Sequence, residues 1–173
     1  MEMANILITG SADGLGQLAA KALADQGHQV VLHARNAVRA RYAQQNVPRA
    51  AHVLVGDLSD TEEAKDVAQQ ANAWGQFDAV IHNAGVYQTS AKEIFAVNVL
   101  APYILTCLIR RPNRLIYLSS GMHFQGRADL ERFTGDVNRI SYSDSKLYVV
   151  MLCLAAARRW PDVYANAVDP GWV

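Results

Sequence analysis

The chain has 173 residues, enough for one well-buried core and the size of a single domain, here expected to run over 1–173. Hydrophobic residues make up 51% and charged residues 18%, which excludes a disordered segment. Sixteen basic side chains balance sixteen acidic ones, so no bulk field draws the chain to nucleic acid or to an anionic membrane. Arg110-Arg111 and Arg158-Arg159 fall near expected helix ends, where they complement the helix dipole. Cys107 and Cys153 lie in apolar, helix-like runs and read as buried free thiols of a reducing compartment, not as a disulfide. No apolar run approaches the roughly 18 residues that span a bilayer. The N-terminus lacks a basic segment followed by a hydrophobic one, so the expected location is cytoplasmic, with no membrane partner.

In chain order, residues 5–9 (NILIT) predict a buried strand that ends at a glycine. Leu15, Leu18, Ala19, Ala22, Leu23 and Gln26 follow helical spacing, with Gly27 as the stop. Strands are predicted over 30–32 and 51–55. Ser59 with Glu62 reads as a capping box for a helix over 60–73. A fourth strand follows over 77–82. One long apolar helix is expected over 92–110, tolerating Pro102 with a kink. A fifth strand over 115–118, a polar loop over 121–139, a helix over 141–160 and a sixth strand over 162–168 complete the chain. Apolar strands alternating with helices predict an α/β fold, a doubly wound parallel sheet covered on both faces. Its site is expected at the carboxyl ends of the strands.

The stretch ITGSADGLGQL, residues 8–18, places Gly10, Gly14 and Gly16 between a strand and a helix. Their spacing, G-x-x-x-G-x-G, departs from the usual dinucleotide fingerprint. Gly10 can take a tight turn, Gly14 can admit a pyrophosphate close to the backbone, and Gly16 can let the helix rest on the sheet. Such a turn alone does not define a site. It is followed, in order, by N-A-G at Asn83, Ala84 and Gly85, by Asn98, by Ser119-Ser120, by Y-x-x-x-K at Tyr142 and Lys146, and by Pro170-Gly171. This ordered set, which runs from Asn5 to the last residue, resembles the short-chain dehydrogenase/reductase family.

The resemblance implies a Rossmann fold and an NAD(P)(H)-dependent oxidoreductase acting on a small carbonyl or alcohol. Tyr142 and Lys146 lie four apart and share a helix face. The lysine ammonium, with a positive nicotinamide, is expected to lower the phenol's pKa so that Tyr142 serves as acid or base. Lys146 would also hold the nicotinamide ribose. Ser120, preferred over its neighbour Ser119, would polarise the substrate carbonyl. Asn98 would kink its helix and hold a water that relays protons to the lysine. The implied cofactor-binding set is Thr9, Gly10, Ser11, Gly14, Leu15 and Gly16 in the loop; Arg35; Asp57 and Leu58; Asn83, Ala84 and Gly85; Tyr142 and Lys146; and Pro170 with Gly171.

At the end of the second strand the chain reads V-V-L-H-A-R-N, with Ala34 where an NAD-selective acid would stand and Arg35 next to it. A guanidinium suits a 2′-phosphate, which points to NADP, with NAD as the alternative. Asp13 argues the other way, because NADP-preferring relatives often carry Lys or Arg there. The five histidines show no metal-ligand spacing and read as structural, His123 alone being a candidate for the substrate pocket. Trp74, Trp160 and Trp172 read as packing residues. Two features depart from the family: a long segment between Ser120 and Tyr142, and only 12 residues between Gly85 and Asn98. The family's usual seventh strand and lid helix are not in this chain, which is then either part of a longer enzyme or a minimal protein with an open pocket. A homodimer or tetramer is the expected assembly. A non-catalytic NAD(P)-binding sensor is the alternative function, and a sugar-nucleotide epimerase a weaker third.

Overall fold

Short β-branched runs alternate with helices to give a six-stranded, wholly parallel sheet, in a computed structural model that describes residues 2–129, 131 and 137–171. The strands are β1 (Asn5–Ile8), β2 (Gln29–Ala34), β3 (His52–Val55), β4 (Ala79–His82), β5 (Arg114–Leu118) and β6 (Tyr164–Val168), in the order β3-β2-β1-β4-β5-β6. The order reverses between β1 and β4, so the connections leaving these paired strands run to opposite faces and leave a crevice at their carboxyl ends.

Pleat alternation supplies two cores. Leu7, Val31, Leu54 and Val80 face one side, with Leu115 and Tyr117 of β5. They pack on α3 (Thr61–Trp74), α5 (Ala101–Leu108) and α6 (Tyr142–Arg159). Ile6, Ile8, Val30 and Leu32 face the other side, against α1 (Gly14–Asp25) and α2 (Ala37–Asn46). The first face is covered by three helices, the second by α1 and α2 over β1 to β3, while β6 stays largely exposed.

Four expectations need correcting. Helix α2 carries no apolar periodicity and buries only Ala43, so its sequence gives little sign of it; it starts because the Asn36 side chain accepts the Arg39 N–H at 2.9 Å. Helix α3 is capped by Asp60, not Ser59. The Asp60 carboxylate accepts the N–H groups of Glu62 and Glu63 at 2.8 and 3.1 Å, while the Ser59 hydroxyl turns back to Asp57. Cys107 is exposed, whereas Cys153 is buried, and both are free thiols.

The fourth correction concerns the long apolar helix. It is α4 (Ala91–Phe95), a π-helical turn (Ala96–Leu100) and then α5. Pro102 has no N–H to offer the Asn98 carbonyl four residues back, and in a regular helix its ring would strike that carbonyl. The wider turn, with the Ala101 N–H on the Ala96 carbonyl, accommodates the ring without a simple kink. Taken together, Ala91–Leu108 is 18 residues at mean hydropathy 1.4, long and apolar enough to cross a membrane, contrary to the sequence reading; half of it is buried inside the fold.

Candidate active site

Two cavities run along the carboxyl edge, of about 560 and 540 Å³. Leu15, Asn83, Gly85 and Val86 line both, so the pair forms one groove across the β1–β4 switch point. The glycine loop makes its floor. Gly10 has φ +60°, and a Cβ there would lie 2.8 Å from the Ala84 Cα. At Gly16 a Cβ would run into the Asn83 side chain and lie 2.6 Å from the Gly10 carbonyl oxygen. Both positions therefore demand glycine, and they press the loop and the first turn of α1 onto the end of β4. Gly14 has φ +53° and open space where a Cβ would go.

Thr9 and Ser11 face inward and line neither cavity. The Thr9 hydroxyl oxygen accepts the N–H groups of Asn83 and Ala84, both at 3.0 Å, while Asn83 Nδ2 donates to the carbonyls of Thr9 and Gly10 at 2.9 and 3.0 Å. The Ser11 hydroxyl donates to the Ile8 carbonyl. These two residues build the loop from behind.

The half of the groove beside β5 and β6 is lined by Ser120, Met122, Gln125, Tyr142, Lys146 and Asp169, with Pro170 and Gly171. Tyr142 opens α6, whose first turn is fixed by a reciprocal cap: Asp144 N–H to the Ser141 hydroxyl at 3.1 Å, and Ser141 N–H to the Asp144 carboxylate at 2.9 Å. Lys146, one turn on, sets its ammonium 5.5 Å from the Tyr142 ring centre and donates to the Leu118 carbonyl at 2.8 Å. Burial lowers its pKa to about 8.

The Tyr142 phenol is pushed up, not down. Burial is the main cause, the neighbouring Tyr87 and Asp169 add to it, and a hydrogen bond with Ser120 works in the opposite direction. The protein alone therefore keeps this hydroxyl protonated; the expected lowering calls on a positive nicotinamide as well as Lys146. Tyr87 packs edge-on against Tyr142 with ring centres 4.7 Å apart.

Both serines border this cavity, but their partners differ. Ser120 lines the cavity and its hydroxyl oxygen accepts the Met122 N–H at 3.3 Å. Ser119 is buried and donates to the Lys146 carbonyl at 3.2 Å, bracing α6. His123 lies outside the cavity lining and donates from Nδ1 to the Ser120 carbonyl, 2.7 Å away. Part of the polar loop over 121–139, and Trp172, lie outside the described residues.

Asn98 sits at the centre of the π turn, buried. Its Oδ1 accepts the Val86 N–H at 2.8 Å, and its Nδ2 donates to the Val86 carbonyl at 3.0 Å and to the Ser145 hydroxyl at 3.1 Å. A Cβ on Gly85 would lie 3.5 Å from both Asn98 Oδ1 and Lys146 Nζ, so the N-A-G turn, the asparagine and the lysine meet at one point.

The half beside β2 and β3 is lined by the glycine loop, Ala34, Arg35, Arg39, Asp57 and Leu58. Sequence reasoning missed Arg39, because it lies on the helix that the sequence did not reveal. Its guanidinium pairs with Asp13 at the lip of the groove. It also missed Tyr87, Met122, Gln125 and Asp169, which no motif marks.

The chain matches the short chain dehydrogenase family over residues 4–173. It is 50% identical over 183 residues to an uncharacterized oxidoreductase of Emericella nidulans, covering 99% of this chain and 71% of that one. Among solved structures it is similar to a short chain dehydrogenase from Escherichia coli CFT073, with TM-score 0.79, 25% identity, and 98% of this chain and 82% of that one covered. A Shigella flexneri 2a short chain dehydrogenase complexed with NADP aligns with TM-score 0.76 and 25% identity, over 98% and 77% of the two chains. The chain belongs to the short-chain dehydrogenase family of oxidoreductases, and its six-stranded doubly wound sheet is the fold of that family.

Proposed function

We propose that the chain is an NADP(H)-dependent carbonyl reductase in which Tyr142 donates the proton. The observation that carries this reading is that Tyr142, Ser120 and Lys146 converge on one cavity continuous with a glycine-floored groove. The groove fits an extended dinucleotide: glycines that a Cβ would block form its floor, and two guanidinium groups, Arg35 and Arg39, stand at its adenosine end. A phosphate on the ribose would meet both cations, with Arg39 partly neutralising Asp13. The structure of a relative complexed with NADP supports the same assignment.

A nicotinamide dinucleotide held by the glycine loop, the N-A-G turn and Lys146 would supply the hydride. The protein's own groups do the rest. Ser120 donates to the substrate carbonyl oxygen and stabilises charge as it develops there. Tyr142, held protonated by burial, gives its proton to that same oxygen. Lys146 presents its ammonium beneath the tyrosine and is available to a ribose hydroxyl. Asn98 fixes the distance between the lysine's helix and the N-A-G turn.

A panel of neutral ketones and aldehydes, followed by NADPH and NADH absorbance at 340 nm, tests the reading. Turnover of at least one carbonyl with NADPH preferred over NADH supports it. Tight NADPH binding with no carbonyl consumed would leave a dinucleotide-binding protein without this activity.

A further inference from the structure

Behind the glycine loop lies a group that the proposed chemistry does not use. His33, near the end of β2, is 3% exposed, yet it belongs to the lining of the adenosine-side cavity. Its ring reaches two loops at once: the Gly10 N–H donates to Nδ1 at 3.0 Å, and Nε2 lies 2.9 Å from the Gly56 carbonyl oxygen. An amide N–H can only donate and a carbonyl can only accept, so the partners fix the tautomer. Nε2 carries the proton and Nδ1 is bare.

The backbone of the same residue is tied in as well. His33 N–H donates to the Ser11 hydroxyl at 2.9 Å, and Ser11 N–H donates to the His33 carbonyl at 3.1 Å. The ring is thus a cross-brace between the first turn of the glycine loop and the end of β3, where Asp57 and Leu58 line the groove. Burial holds the imidazole near pKa 4, against the opposing pull of the Gly56 carbonyl and the Asp57 charge. The other charged residues lining that cavity are Asp13, Arg35, Arg39 and Glu93. A protonated ring would set an N–H against the Gly10 N–H and open the brace.

We infer that His33 is a positioning residue of the dinucleotide site, whose neutral Nε2–H ring sets the glycine loop and locks it to the end of β3. Gly10 already sits in the left-handed region, and its amide has spent its proton on His33. The N–H groups left to face a pyrophosphate are then those at the start of α1. An apolar side chain of similar size would leave the part-buried Gly10 N–H without this partner and free the loop to drift. This inference rests on the reading that the groove takes a dinucleotide.

The test combines nitrogen-15 NMR of the imidazole in the wild type with NADPH titrations of His33→Leu, His33→Asn and His33→Gln. The expected spectrum is a neutral, Nε2-protonated ring from pH 5 to 8. NADPH binding should weaken about tenfold or more in His33→Leu, the cost of one part-buried amide left without its partner. In His33→Asn the side-chain oxygen can take the Gly10 N–H, so most of the affinity should return. His33→Gln restores only the Gly56 contact and should behave like the leucine variant. Thermal midpoints are recorded alongside; affinities that follow the midpoints across all three variants would make His33 a stability residue only and overturn the proposal. An Nδ1-protonated or charged ring at pH 7, or unchanged NADPH affinity in His33→Leu, would overturn it too. If His33→Leu does not fold, the asparagine–glutamine comparison and the wild-type spectrum still decide. Wild-type protein that binds neither NADPH nor NADH would instead sink the dinucleotide reading, and the proposal with it.

Discussion

Asn98 donates from Nδ2 to the Ser145 hydroxyl at 3.1 Å, joining the π turn to the helix that carries Tyr142 and Lys146. Ser145 in turn donates to the Tyr142 carbonyl at 2.7 Å. One asparagine therefore spans the N-A-G turn, the π turn and the first turn of α6. Asn98→Ala removes three hydrogen bonds and strands the Val86 backbone groups, at a cost of about 2–4 kcal/mol. Urea denaturation should show that loss, with the slope of the transition unchanged. A difference under about 0.5 kcal/mol, the range of ordinary surface substitutions, would contradict the bridging role.

The loop that follows Ser120 rests on α6 at Gly126. A Cβ there would lie 2.5 Å from the Ser143 carbonyl oxygen and 2.9 Å from the Leu147 Cβ, and the first of these is backbone that cannot turn away. Gly126→Ala should lift the loop that carries Met122 and Gln125 and destabilise the fold by about 1–3 kcal/mol. Its effect on substrate KM should exceed its effect on NADPH affinity, because those residues line only the cavity that holds Ser120 and Tyr142. Equal losses in both constants would place the damage elsewhere.

The sheet was largely legible because each strand is a compact apolar run bounded by a glycine or polar turn. Strand bounds drifted by one to three residues, as at β2, where polar Gln29 and His33 extend the pairing beyond the apolar centre. Helix α2 escaped because a helix lying on the surface with one buried alanine has no periodic stripe to read. The π turn escaped for another reason: proline announces that a helix is disturbed, but only the packing of Asn98 shows how. Ser119 and Ser120 were readable as a pair; that both border the cavity and that the Ser119 hydroxyl is spent on α6 came from the packing. The burial of Tyr142 and the approach of Asp169, just after β6, both push the phenol up and were not visible in the sequence, whereas the cation four residues on was.

Arg35 and Arg39 should share recognition of a ribose phosphate. Arg39→Ala removes one cation and leaves Asp13 without its partner, so NADPH affinity should fall by about 10–100-fold, the worth of a charge-assisted hydrogen bond. NADH affinity should change little. Isothermal titration with both cofactors checks this, and a parallel loss for NADH would show that Arg39 acts through α2 instead of through the phosphate.

Two buried histidines make the fold acid-labile. His33 and His82 are held near pKa 4 and 3 by burial, both below the 6.5 of an exposed imidazole, and His82 Nδ1 finds no hydrogen-bond partner among the described residues. Between those folded values and 6.5 the unfolded chain binds more protons, so stability falls as pH drops through this window. The loss should reach about 2 kcal/mol for each histidine by pH 5. Denaturation midpoints from pH 8 to 5 should show it, and His82→Leu should flatten the slope by about half. A stability curve flat from 6.5 to 5 would mean that the rings charge freely in the folded state.

The proton donor is the centre of the account, and Tyr142→Phe isolates it. The substitution deletes one oxygen at the first position of α6, whose Ser141–Asp144 cap does not involve the phenol. With a carbonyl that the wild type reduces, single-turnover hydride transfer from bound NADPH should fall by about 100-fold or more, the usual worth of a positioned general acid. NADPH affinity should remain within about twofold, a fraction of one hydrogen bond. Hydride transfer at the wild-type rate in a phenylalanine variant that still binds NADPH would contradict it.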